Sequence, residues 1–161
     1  MGYPFGPYLR LLLLTAQRKS EVALMKWADV DLDCALWTLL REATKADRVH
    51  DVPLSRPAVE LLESLPRFDG AYVLSSTSGR KPINSFSKAQ ARLAAEIQNR
   101  RRESGQDKPL AHWRLHDLRR TSATHMAGAG VPPPCTRSDI ESHSRKYPRS
   151  HQYLQQVSVC G

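Results

Sequence analysis

Three kinds of side chain in this sequence are suited to handling a phosphate. The segment RLHDLRRTSATHMA (114–127) sets His116 and Arg119 three residues apart, which on a helix is a single face. A guanidinium there can clamp two phosphate oxygens, and an imidazole beside it can move a proton. Arg120 adds another positive charge to the same stretch. Arg18 lies at a joint beside the apolar run LLLL, with Glu21 three residues further on. That spacing fits a structural ion pair, and it equally fits a carboxylate that holds a working arginine in place. Lys45 lies in the polar segment REATKADR (41–48), where an ammonium on a hairpin tip can reach a DNA groove. The plainer readings are a His116 satisfied by backbone, an Arg119 paired to Asp117 and a solvated Lys45. Cations this crowded repel one another unless an anion sits among them.

The whole chain leans the same way. It has 161 residues, enough for one domain with a real core. Lys and Arg number 24 against 16 acids, a net charge of +8, which favours a polyanion such as nucleic acid as partner. Cys34, Cys135 and Cys160 are odd in number, far apart and without a C-x-x-C pair. Their spacing argues against a disulfide framework or a zinc site and fits a cytoplasmic location. No metal or cofactor motif is present, so none is expected. The LLLL run (11–14) is too short to span a membrane.

These side chains need elements to position them. YLRLLLLT (8–15) reads as a buried helix, and SEVALMKW (20–27) as a second, with Ser20 as cap and Leu24 and Trp27 facing inward. DVDL, ALWTLL and VHDVPL are short and rich in β-branched or aromatic residues, and they read as a three-stranded antiparallel sheet with Pro53 at a strand end. SRPAVELLESL (55–65) reads as a helix capped by Ser55, with Pro57 in its first turn. SFSKAQARLAAEIQNRRRES (85–104) reads as an amphipathic helix with a stripe through Phe86, Ala89, Leu93 and Ile97. The helix carrying His116 and Arg119 ends at GAG (128–130). The fold class is therefore α+β and mainly α, with a small three-stranded sheet on one flank.

LLLLTAQRKSEVALMKWADVDL, then TKADRVHDVPLS, then HDLRRTSATHMAGAGVPP together resemble the catalytic domain of tyrosine recombinases, the phage integrase family. That family carries an Arg in a T-G-x-R-x-S-E segment, a Lys on a β-hairpin and an H-x-x-R pair, followed by a His or Trp and a nucleophilic Tyr. The likeness covers residues 8 to 133 in the right order, with Ala16 standing where the family usually has Gly. It implies that Arg18 and Arg119 clamp the scissile phosphate of double-stranded DNA and that Lys45 protonates the leaving 5′ hydroxyl. It further implies that His116 assists proton transfer and that no metal ion or cofactor is used. Relatives act as tetramers on DNA and usually carry an N-terminal DNA-clamping domain, whereas this chain is expected to be monomeric and to lack that domain.

The likeness stops at Pro133, so residues 1–133 are expected to form an incomplete catalytic domain and residues 134–161 a disordered tail. The family's H-V-x-E-R-I-L-N-H and G-V-x-x-I-Y-N-R-Y motifs are missing from PCTRSDIESHSRKYPRSHQYLQQVSVCG. Reading each codon's last two bases with the first base of the next permits both. The Ser138–Ser142 run permits Arg, Ile, Leu, Asn and His, and Leu154–Gln155 permits Tyr. The tail therefore reads as out-of-frame translation, with the family's His falling at Ser142 and its Tyr at Leu154. His143, Tyr147 and Tyr153 lie nearby, but on a helix one residue is a rotation of about 100°. The expectation is a recombinase domain that is inactive as given. The competing expectation is a non-catalytic helix-turn-helix module whose recognition helix is 114–131 and whose binding survives loss of His116.

Overall fold

The computed structural model describes residues 1–40, 49–106 and 108–130. The chain opens with α1 (Phe5–Thr15) and the short α2 (Lys19–Ala23), then a 3₁₀ turn over Trp27–Asp29. Strands β1 (Val30–Asp31), β2 (Leu36–Leu39) and β3 (His50–Pro53) follow, then α3 (Arg56–Glu63), α4 (Phe86–Glu103) and α5 (Leu115–Gly128). The helices and the three-stranded sheet match the order expected from the sequence.

The core forms around α1. Helical periodicity buries Tyr8, Leu11 and Leu12 completely and turns Leu13 of the same leucine run outward. α2, α3 and α5 all pack on this helix. The ring of Phe86, at the start of α4, stands 5.5 Å from that of Tyr8. Of the stripe expected on α4, Ala89 is buried and Phe86, Leu93 and Ile97 are half-buried. Fully burying a side chain such as Leu11 contributes about 2 kcal/mol, so this one helix anchors much of the domain.

The sheet is antiparallel in the order β1-β2-β3, with Trp37 opposite Val52 and Leu39 opposite His50. Trp37, Leu39 and Val52 are buried, so one face of β2 and β3 lies on the core. Pro53 ends β3, an edge strand, where a missing N–H costs least.

Several local expectations are corrected. α2 stops at Ala23, and Leu24 is exposed; Met25, beyond the helix end, takes the inward position. The N-cap of α2 is Arg18 rather than Ser20. Ser55 occupies the N-cap position of α3, but its buried hydroxyl makes no cap bond. Cys34 is disulfide-bonded, a pairing that cysteine spacing did not predict. No helix among the described residues is long and apolar enough to cross a membrane.

Candidate functional site

The site begins at the joint between α1 and α2. Ala16 ends α1 in the left-handed conformation (φ 52°), and its N–H bonds the Leu12 carbonyl. Thr15, Ala16 and Gln17 are all buried. Thr15 Oγ1 donates to the Leu11 carbonyl at 2.7 Å, and Gln17 Nε2 donates to the Thr15 carbonyl at 3.1 Å. This tight reversal delivers Arg18 in an extended conformation at the start of α2. The left-handed residue also explains why a glycine suits position 16, since a Cβ is strained there.

Glu21 is the centre of the site. Its side chain is only 2% exposed. One oxygen, Oε2, accepts the Arg18 backbone N–H at 2.7 Å, and the other, Oε1, accepts from Arg18 Nη1 at 2.7 Å. On its far side Arg119 Nη1 lies 3.8 Å from Oε2. One buried carboxylate therefore gathers two guanidinium groups that are far apart in sequence. An isolated buried carboxylate is costly, so both arginines are needed to hold it there.

α5 supplies Arg119 by periodicity. Leu115 and Ser122 are buried and Leu118 is packed against the core, and Arg119 follows the same side of the helix. Its side chain is 25% exposed. The 3.8 Å approach to Glu21 is a charge contact without a hydrogen bond, because Nη1 is buried with no hydrogen-bond partner. Burial, and then the nearby charge of Arg18, push the guanidinium below its ordinary pKa, while Glu21 pulls it back. An arginine nonetheless remains protonated in a protein. The result is a fixed cation with an unmet donor beside a second arginine whose side chain is 44% exposed. That pair is built to receive an anion.

His116 is exposed one turn before Arg119, on the neighbouring strip of the helix. Arg120 turns the other way, with Nη1 3.8 Å from Asp117 Oδ1 and its side chain 75% exposed. Asp117 caps α5 by accepting the Arg114 backbone N–H at 2.8 Å. Asp117 is thus the partner of Arg120 and not of Arg119. Arg18, Glu21 and Arg119 come together; among the described residues His116 makes no hydrogen bond or ion pair with them, and Arg120 pairs with Asp117 instead. Lys45, His143, Tyr147 and Tyr153 lie outside the described residues. Among the described residues no cluster of three His, Cys, Asp or Glu side chains is placed to hold a metal ion.

Sequence reasoning missed His50. It is the first residue of β3, half-buried, and its charge environment is made by Glu21, Asp51, Arg119 and Arg18. The available signal was the alternation in HDVP, which puts His50 on the same inward face as Val52.

The profile of the phage integrase family matches residues 6–141. The chain belongs to the phage integrase family. Prophage integrase IntZ of Escherichia coli (strain K12) is 43% identical over 79 residues, covering 48% of this chain and 20% of IntZ. Prophage integrase IntA of the same strain is 28% identical over 149 residues, covering 89% of this chain and 34% of IntA. Among solved structures, the Tn1549 transposon integrase in complex with a circular intermediate DNA has a similar fold. The TM-score is 0.61 at 17% identity, over 79% of this chain and 47% of that one. XerA recombinase has a TM-score of 0.52 at 21% identity, over 91% of this chain and 44% of that one. The chain thus spans a fifth to a third of these curated relatives and less than half of the solved chains.

Proposed function

We propose that this domain handles the phosphate of double-stranded DNA in site-specific recombination of the tyrosine type. The observation that carries the reading is the buried Glu21 holding Arg18 at 2.7 Å and Arg119 at 3.8 Å, with Arg119 Nη1 lacking an acceptor. Two fixed guanidinium groups bind the non-bridging oxygens of a phosphodiester and stabilise the charge that develops on them. In the reaction a tyrosine oxygen bonds to phosphorus as the bond to the 5′ oxygen breaks. The leaving oxygen takes a proton, for which Lys45 is the donor, and His116 assists proton transfer at the phosphate. The phosphotyrosine keeps the energy of the broken ester, so the reverse attack by a 5′ hydroxyl reseals the strand without ATP.

The net charge of +8 and the DNA-bound state of the Tn1549 integrase support DNA as substrate. Arg119 turns inward to Glu21, whereas a helix-turn-helix module would present its recognition side chains outward; the catalytic reading is therefore preferred. In the tail, Ser142 and Leu154 occupy the positions of the family's His and Tyr, and neither can replace them. On this reading the domain binds phosphate, and its tail lacks the family's His and nucleophilic Tyr at those two positions.

The test is to titrate the protein with mixed-sequence duplex DNA at rising salt, then run the mixture on a denaturing gel. The expected result is weak binding that falls steeply with salt and no covalent protein–DNA band. Sequencing the encoding DNA is expected to find a Tyr codon in the shifted frame at Leu154. Absence of DNA binding at low salt would overturn the reading, and a covalent band would overturn the loss of the nucleophile.

A further inference from the structure

We propose that His50 is a further ligand of the phosphate held by Arg18 and Arg119, reaching it from the sheet side of the site. The proposal rests on the phosphate-binding reading above and extends it to a residue on a different element. His50 pairs with Leu39 across the sheet and shares the inward face with Val52, whereas Asp51 turns to the other face and accepts a 2.9 Å hydrogen bond from Thr38 Oγ1. At Val52 and Trp37 that inward face meets the apolar core. At His50 the core gives way to a partly exposed position, where the charges that act on the imidazole are those of Glu21 on α2, Asp51 beside it, Arg119 on α5 and Arg18 before α2. The imidazole has no hydrogen-bond partner among the described residues, although it is half-buried. Arg119 Nη1 is likewise buried and unpartnered. A buried, unpartnered nitrogen of Arg119 on α5 and a half-buried imidazole on the sheet thus belong to one cluster of charges.

The chemistry of the cluster says when His50 acts. Burial lowers its pKa first, and the positive charges of Arg119 and Arg18 lower it further against the opposing pull of Glu21 and Asp51. In the free protein these influences together favour the neutral imidazole. A bound phosphate adds negative charge among the same groups and favours the imidazolium, which then donates a charge-assisted hydrogen bond. Anion binding by this site should consequently take up a proton and strengthen as pH falls.

The experiment is to titrate the full chain, ¹⁵N-labelled at histidine and arginine, with sodium sulfate between pH 6 and 8 and follow the side-chain signals by NMR. Sulfate keeps its charge over that range. The expected result is that sulfate shifts the Arg18, Arg119 and His50 signals together and raises the pH at which His50 titrates. His50→Gln keeps a neutral donor, and it should remove the gain in sulfate affinity on acidification, about tenfold in the wild type. If sulfate moves the arginines but leaves His50 and its titration unchanged, the proposal fails and the arginine site stands. If the gain on acidification persists in His50→Gln, the proposal also fails. If sulfate moves none of the three, the phosphate-binding reading itself fails.

Discussion

Two helix starts in this molecule are built from the same local device and do different work. Arg18 before α2 and Arg114 before α5 are both extended N-cap residues, and each donates its backbone N–H to an acid three residues on. The bonds are nearly identical, 2.7 Å to Glu21 and 2.8 Å to Asp117. Their surroundings are not. The side chain of Glu21 is 2% exposed and that of Asp117 is 45% exposed. In water an ion pair at 3.8 Å, such as Arg120 with Asp117, contributes less than about 1 kcal/mol. Around a buried carboxylate the same separation cannot be left to chance, because the charge has no water to fall back on. The comparison teaches that burial, and not the motif, turns a helix cap into the point that gathers a site.

The largest effect should separate the two acids. Glu21→Gln leaves Arg18 and Arg119 without their shared counter-charge and should cost about 3 kcal/mol of stability. Asp117→Asn loses chiefly a cap, about 1 kcal/mol or less. Urea denaturation midpoints of the two variants check this ordering. Next come the two arginines of α5. Arg119→Ala should weaken binding of a mixed-sequence duplex about tenfold, since it removes a fixed, partly desolvated donor. Arg120→Ala should stay within about twofold, as expected of a solvated charge. Fluorescence anisotropy at one fixed salt concentration measures both.

A smaller effect, of opposite sign, should follow at the joint before Arg18. Ala16 has φ 52°, so Ala16→Gly should relieve strain and raise stability by about 1 kcal/mol. Thermal melting reads it directly, and a loss of stability would mean that the joint is not strained. The last effect depends on pH. His50 has a lowered pKa in the folded chain, so the unfolded chain binds more protons as pH drops below the ordinary imidazole range. The folded state should therefore lose stability on acidification from pH 7, and His50→Gln should flatten that part of the profile.

Much of this was legible in the sequence, and the remainder has physical reasons. The strands were visible because DVDL, ALWTLL and VHDVPL concentrate β-branched and aromatic residues between polar turns. The Arg18–Glu21 pair was visible because its spacing is local. The partner of Arg119 was not. Sequence offers Asp117 as the near acid, but helical geometry turns Arg119 toward the core side, where α2 packs on the same helix α1. Leu24 misled because helical periodicity was extended past the point where α2 ends at Ala23. His50 was hidden in a strand, where its importance depends on what lies opposite the inward face. Lys45 lies outside the described residues, and its role remains the one the resemblance implies; Tyr147 and Tyr153 lie outside them as well, and the resemblance gives neither a role.

The central claim is that Glu21 couples Arg119 into one site with Arg18. A double-mutant cycle between Glu21→Gln and Arg119→Met, read as unfolding free energy in urea, tests it most directly. The account predicts a coupling of about 1 kcal/mol or more between the two positions. Effects that add to within about 0.3 kcal/mol would contradict it, and would mean that the two side chains are neighbours without being partners.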